Sequence, residues 1–240
     1  MKGGWLFPNL ESRADIPELM DDPSCDETAL LRTVAGFRLL NRWATRYRSV
    51  LKKWILSDML EAPRQKYRVA DLGAGGCDIA VWLLDASRRL GLDVRVLAIE
   101  GDSRIAAYAR RFYGEVPGLR VLETDATDLD AIGGVDYVIG NHFLHHLRDG
   151  ELERLLKGLA AMPLRRFVFN DLRRSYCAYW FHAVAASAVF PRTFAARDGC
   201  RSIRRGFKAG ELRALVCRVG LEDHVNIVTM APARVLLVSA

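Results

Sequence analysis

The chain has 240 residues, 50% of them hydrophobic and 27% charged, with a formal net charge of +6. Such a length suits one large domain, or a domain with an appendage, with ample core to bury. Five scattered cysteines with no CxxC pair argue against a disulfide framework or a zinc knot and suit a reducing, cytoplasmic setting. The positive charge is spread along the chain and does not single out nucleic acid as a partner. The first twenty residues hold no apolar core of signal-peptide length. No stretch reaches the roughly 18 to 20 apolar residues of a bilayer span. The nearest, YCAYWFHAVAASAVF at 176–190, is shorter and carries His182.

Residues 1–26 read as irregular and end in the acidic cluster MDDPSCDE. From Glu27 to about Leu60 apolar residues recur mostly three or four apart (Leu31, Val34, Leu40, Trp43, Tyr47, Leu51, Trp54), which predicts helix. Arg38, Arg42 and Arg46 stripe another face of it. Pro63 and the charged RQK then divide the chain into a helical, lid-like segment 1–62 and a main domain 63–240. Beyond them short apolar runs alternate with amphipathic segments. YRVADLG, DVRVLAIEG, LRVLETD, VDYVIGNHF and RRFVFND read as five strands. DIAVWLLDASRRLG, closed by Gly91, DSRIAAYARRFYG, opened by Asp102 or Ser103, and GELERLLKGLAAM read as helices between them. AGELRALVCRVG is a further helix closed by Gly220, and HVNIVTMAPARVLLVSA reads as two strands with a turn at Pro232. The β-α-β-α rhythm predicts an α/β fold, a doubly wound, mostly parallel sheet covered on both faces, with an antiparallel C-terminal edge.

In such a sheet, ligands bind beyond the carboxyl ends of the strands, near the switch in strand order. The first strand ends in Asp71, and Gly73, Gly75 and Gly76 follow within one turn, which lets a ligand approach the backbone. Glu100 closes the second strand, where a carboxylate can accept hydrogen bonds from both hydroxyls of a ribose. Asp125 closes the third, placed for an adenine amino group. Three such features at successive strand ends point to a nucleoside site. A dinucleotide fingerprint, G-x-G-x-x-G, sets a pyrophosphate on the helix N-terminus. Here the sixth position counted from Gly73 is Asp78, whose negative charge disfavours NAD or FAD. A phosphate-free cofactor bearing a sulfonium cation suits Asp71 and Asp78.

VADLGAGGCDIA at 69–80 resembles the first motif, D-x-G-x-G-x-G, of class I S-adenosylmethionine-dependent methyltransferases. LAIEGD looks like their second motif, ETDATDL like their adenine-contact segment and VDYVIGNHFLHHL like the fourth; the likeness covers about residues 67–170. It implies a seven-stranded Rossmann-like fold and S-adenosyl-L-methionine as cofactor. Asp71, Gly73 and Gly75 would then border the methionine moiety, Glu100 the ribose, Asp125 and Ala126 the adenine, and Asn141 the transferring methyl. Ala74, Gly101 and His142 complete that set. Cys77 stands where the third glycine of the motif usually lies, so Gly76 is expected to supply the flexibility, with a shifted helix start. The segments ARDGCRSIRRGFKAGELRALV, NDLRRS and MDDP…FRLLNRW also look like a subgroup associated with bacterial secondary-metabolite and quinone-like methylation. That likeness implies a small aromatic or polyketide-like acceptor under an N-terminal lid.

Methyl transfer to a hydroxyl needs a positioned acceptor, exclusion of water and removal of a proton. NHFLHHLRDG offers His142, His145 and His146; imidazole titrates near neutrality, so His145 or His146 is the candidate base. No metal site is expected from these histidines, because no nearby carboxylate or cysteine completes a ligand set. NDLRRS places Asn170, Asp171, Arg173 and Arg174 at a strand end, where Asp171 and Arg174 are candidates for acceptor binding. Among the aromatics that follow (Tyr176, Tyr179, Trp180, Phe181, Phe190), Tyr179 is the pocket candidate.

The leading expectation is O-methylation of a phenolic, polyketide or quinone-like small molecule by a monomer or homodimer, with neither nucleic acid nor stable membrane insertion. C-methylation of a quinone-like ring and a non-catalytic S-adenosylmethionine-binding protein stay open beside it. RNA or protein methylation is disfavoured: Trp43, Tyr47 and Trp54 fall at core-like spacing beside the basic stripe, whereas RNA recognition wants exposed aromatics. A membrane-surface role for 30–55 is a further option, since its arginines flank large apolar side chains.

Overall fold

The computed structural model describes residues 8–43, 45–61, 66–189 and 192–240. Pro63, Phe190 and the division at 62–63 fall outside these, as do the side chains of Leu40 and Trp43. Seven strands form one sheet in the order β3-β2-β1-β4-β5-β7-β6. They are β1 (Tyr67–Leu72), β2 (Val94–Glu100), β3 (Leu119–Glu123), β4 (Tyr137–Asn141), β5 (Arg166–Leu172), β6 (Val225–Met230) and β7 (Arg234–Ser239). The first five are parallel, and β7 runs antiparallel to both β5 and β6. The C-terminal pair closes its end of the sheet as a hairpin with β6 outermost. The order reverses at β1 and β4, so the crevice that such a reversal creates lies over Asp71 and Asn141.

Alternation along the strands builds two cores. Ala70, Leu72, Val138, Phe167, Phe169, Val235 and Leu237 face Leu152, Leu155 and Leu159 of α6 (Asp149–Ala161) and Leu212 and Leu215 of α9 (Ala209–Arg218). Val69, Tyr137, Ile139, Val168 and Val238, one residue out of phase, face the other way. There they meet α4 (Asp78–Arg89) and a second helical stretch, α2 (Tyr47–Leu51), which continues through a π-helical turn (Lys52–Leu56) into α3 (Ser57–Glu61). Both faces of β1 are buried, which its near-continuous apolar run requires.

The single helical period read over Glu27 to Leu60 is interrupted. Helix α1 (Glu27–Trp43) stops before Arg46, which takes a left-handed φ of 54°, and the chain restarts at Tyr47. The two halves do different work. Val50, Leu51, Ile55 and Met59 share one core with the sheet, and the buried Tyr47 hydroxyl donates to the Val168 carbonyl (2.8 Å) and accepts from the Gly140 amide (3.0 Å). Helix α1 instead lies over the glycine turn, burying Leu30 and Val34 against Ile105 of α5 (Ser103–Tyr113). Leu39 of the same helix stays exposed. Asp102 caps α5, accepting from the amides of Arg104 (2.8 Å) and Ile105 (3.3 Å). Helices α7 (Tyr176–Val189) and α8 (Ala195–Arg205) pack beside β5. Among the described residues no helix is long and apolar enough to cross a membrane.

Candidate functional site

A cavity of about 1530 Å³ opens over the crevice. Asp71, Gly73, Ala74, Gly75, Glu100, Gly101, Asp125, Ala126, Asn141 and His142 all line it, as do His145 and His146. Four strand ends bring these residues together from across 75 positions of sequence because parallel strands end on the same edge.

The glycine turn departs from its expected logic in an instructive way. A Cβ on Gly73 would stand 2.8 Å from the ring of Phe143, and one on Gly76 2.9 Å from Val34. These two glycines admit the protein's own side chains. Of the three, all of which line the cavity, only Gly75, φ 52°, leaves an added Cβ with nothing within 4 Å. Cys77 corrects a second expectation. It adopts the left-handed conformation itself (φ 59°, ψ 15°), Gly76 does not, and α4 starts at Asp78. The left-handed step is therefore retained in the third motif position despite a side chain that disfavours it. That side chain is buried, and burial raises the thiol's pKa, so Cys77 is a packing residue.

Charge on this side is only partly compensated: Arg48 and Arg38 lie near Asp78, yet burial still prevails. Burial, with Asp78 and Glu100 nearby, pushes the Asp71 carboxyl up to about 8. Burial likewise raises Asp78 and Glu100. One oxygen of Asp71 and one of Asp78 are buried without a hydrogen-bond partner. Glu100 accepts from the Gly75 amide (2.8 Å) and the Asp102 amide (2.9 Å), which ties the carboxylate to the turn. Asp125 accepts from the amide and hydroxyl of Thr127, both at 2.8 Å. An amide relay crosses the top of the sheet: Asn41 donates to Asp78 (3.0 Å), Asn141 to Asn41 (2.9 Å) and Asn170 to Asn141 (2.7 Å). Asn41 carries α1 into the site, a role nothing in its local sequence announces.

The histidine turn is built differently. His145 is buried, its Nδ1 lies 2.7 Å from Asp171 Oδ1, and its Nε2 lies 3.4 Å from Glu18 Oε1. Burial opposes the charged ring, but the two carboxylates prevail and raise its pKa to about 9. Burial also opposes the Glu18 charge, yet His145 holds that carboxyl down at about 2, and Asp171 is likewise lowered. The two carboxylates thus favour the protonated His145 ring, which counts against it as the proton acceptor expected from the sequence. For His146, burial and the charge on His145 pull the pKa down to about 4, leaving a neutral ring that lines the cavity. His142 is also neutral, lowered by burial and by Arg234, whose guanidinium contacts its Nε2.

Glu18 belongs to a strap, residues 8–26, that sequence reading leaves as irregular chain. Helix α8 holds it. Asp198 accepts from the amides of Leu19 (2.7 Å) and Met20 (3.0 Å), and Ser202 donates to Glu18 (2.6 Å). Arg205 donates to the carbonyls of His145 (3.0 Å) and His146 (2.9 Å) and to that of Ile16 (3.2 Å). The expectation that no carboxylate lies near the histidines is thus overturned. Ligating atoms of Glu18, His145 and His146 fall within 4.8 Å of one another.

The three expected acceptor residues stand outside the cavity wall. Asp171 lies behind His145 and is spent on it. Arg174 points into the protein, donating to the carbonyls of Leu10 (2.8 Å), Glu11 (3.2 Å) and Gly206 and pairing with Glu211. Its neighbour Arg173 lines the cavity instead, as alternation along an extended segment demands. Tyr179 is buried against Leu10, Leu172, Cys200 and Ile203, while Ala178, Phe181 and His182 of the same helix reach the cavity.

Several solved structures share this architecture. The plantazolicin methyltransferase BpumL, in complex with SAH (S-adenosylhomocysteine), superposes with a TM-score of 0.61 at 14% identity, over 86% of this chain and 88% of that one. The magnesium protoporphyrin IX methyltransferase of Synechocystis PCC 6803, with bound SAM, gives 0.53 at 14% identity, over 91% and 98%. The citrinin polyketide synthase CMeT domain gives 0.55 at 16% identity over 77% of this chain, which spans only 49% of that structure. No family model and no curated protein matches the chain. At such identities the shared property is the fold, a Rossmann-like methyltransferase fold.

Proposed function

We propose that this protein is an S-adenosylmethionine-dependent methyltransferase that O-methylates a small phenolic, polyketide or quinone-like acceptor. The observation that carries this reading is Asp71, a buried carboxylate crowded by Asp78 and Glu100 and lacking a partner for one oxygen. A sulfonium with an α-ammonium group supplies the missing positive charge, whereas a pyrophosphate adds to the excess negative charge. In this reading Asp71, Gly73, Ala74 and Gly75 hold the methionyl part. Glu100 and Gly101 accept from the ribose, Asp125 and Ala126 hold the adenine, and Asn141 and His142 flank the methyl. When bound, the cofactor supplies an electrophilic methyl carbon.

The chain's own residues do the rest. Helix α1 and the strap cover the site and limit access of water. The neutral His146 ring would take the proton from the acceptor hydroxyl as that oxygen displaces the sulfur from the methyl carbon, working against the charge on His145. His145, fixed between Asp171 and Glu18, is a positioning residue that sets the turn on which His146 stands. The methyltransferases of plantazolicin and of magnesium protoporphyrin IX among the fold neighbours fit a small-molecule acceptor. The test is incubation with S-adenosylmethionine and a panel of phenols and hydroquinones, with S-adenosylhomocysteine as readout. We expect its formation with at least one acceptor. Cofactor binding with no S-adenosylhomocysteine from any acceptor would leave a binding protein in place of an enzyme.

A further inference from the structure

Helix α7 has 14 residues, YCAYWFHAVAASAV, and not one carries a fixed charge. A helix apolar on every side belongs in a core. Only part of α7 is there: Tyr179 and Ala183 pack against Leu172, Cys200 and Ile203. Phe181 is 77% exposed, Val184 72%, Val189 55% and Tyr176 50%. Phe181 also belongs to the cavity wall, together with Cys177, so the exposed apolar face runs directly into the cavity.

The fixed charges flanking α7 along the chain have one sign, although acids line the cavity behind it. Residues 172–197 contain no Asp or Glu, while Arg173 before the helix, Arg192 after it and Arg197 on the adjoining α8 are all exposed. Pairing α7 with α7 of a second copy would set these arginines against their own kind. An anionic surface with an apolar interior answers both features together. Peripheral attachment rests on that combination, since buried apolar area and attraction to anionic headgroups add.

We propose that α7 docks on an anionic lipid surface, with Phe181, Val184 and Val189 in the headgroup–acyl boundary and the arginines at the phosphates. The acceptor is then an amphiphile, whose polar ring enters the cavity past Phe181 while its chain stays at the surface. That second statement rests on the methyltransferase reading; the docking does not.

Co-sedimentation of the full chain with phosphatidylcholine vesicles, with and without phosphatidylglycerol, tests it. We expect binding to the mixed vesicles, at least about tenfold weaker on phosphatidylcholine alone and weakened by salt. Val184→Asp removes apolar area outside the cavity wall, and Arg192→Glu with Arg197→Glu reverses the charge; each should cut vesicle binding at least about tenfold with an unchanged circular dichroism spectrum. Absence of sedimentation with mixed vesicles at low salt overturns the proposal. So does a solution dimer that Val184→Asp dissolves, because the face would then join two copies. Calorimetry with S-adenosylhomocysteine separates the two readings. Vesicle binding without nucleoside binding rejects the methyltransferase, and nucleoside binding without vesicle binding rejects the docking.

Discussion

Two groups of buried or half-buried acids line or back the same cavity and differ in what answers their charge. At the glycine turn, Asp71, Asp78 and Glu100 crowd one another, and burial raises all three. At the histidine turn, Glu18 and Asp171 are held low by the imidazolium between them. Buried charges must be neutralised by a partner or by a proton. The second group has found its partner within the chain. The first has none of that strength, and in the proposed function a cationic ligand would complete it.

Substitutions can break this contrast, the largest effect coming from the cavity wall. His146→Ala should lower kcat by roughly 10²–10³ with KM for the cofactor little changed, because a general base acts in the transition state; an unaltered kcat with the true acceptor would remove the assignment. Asp71→Asn should weaken S-adenosylmethionine binding by roughly 10- to 100-fold, the range for a hydrogen bond to a charged group. Its effect on stability has the opposite sign. A carboxyl raised to about 8 when folded contributes stability that is present below its unfolded pKa and lost as pH rises through about 8. The ligand-free variant should therefore melt higher than wild type at pH 8 and not at pH 4, read by thermal unfolding.

The histidine turn should respond differently. His145, raised to about 9, contributes stability that is complete below about pH 6.5 and lost as pH rises through 9. Glu18→Gln should lower stability by about 1–3 kcal/mol at pH 6 and flatten the decline between pH 6.5 and 9. A variant that melts like wild type across that range would show the strap to be passive. The smallest effect is expected at Cys77. Cys77→Gly relieves a left-handed residue worth about 1–2 kcal/mol but empties a buried site, so stability should change by about 1 kcal/mol or less. Cofactor affinity, measured by calorimetry, should stay within about twofold.

What the sequence made legible follows from locality. Strand ends in a parallel sheet meet on one edge, so Asp71, Glu100, Asp125 and Asn141 could be placed in one crevice from motif and rhythm alone. The strap could not be placed. Its hold on α8 consists of scattered hydrogen bonds, from the Leu19 and Met20 amides to Asp198, from Ser202 to Glu18 and from Arg205 to the Ile16 carbonyl, and such pairs leave no periodicity. Arg173 and Arg174 show the limit at the finest scale. Adjacent residues of an extended segment face opposite ways, and composition does not say which one meets the cavity. Glycine was misread for a related reason: the neighbours that crowd Gly73 and Gly76, Phe143 and Val34, arrive from distant elements.

The most direct test of a partly compensated pocket is calorimetric titration with S-adenosylmethionine and S-adenosylhomocysteine from pH 6 to 9, in buffers of different ionisation enthalpy. We expect both to bind, with affinity for S-adenosylmethionine rising towards pH 8 and proton release that Asp71→Asn abolishes. No binding of either nucleoside, or binding with no proton release, would mean that the raised carboxylates answer to something other than a sulfonium, and the functional reading would be wrong.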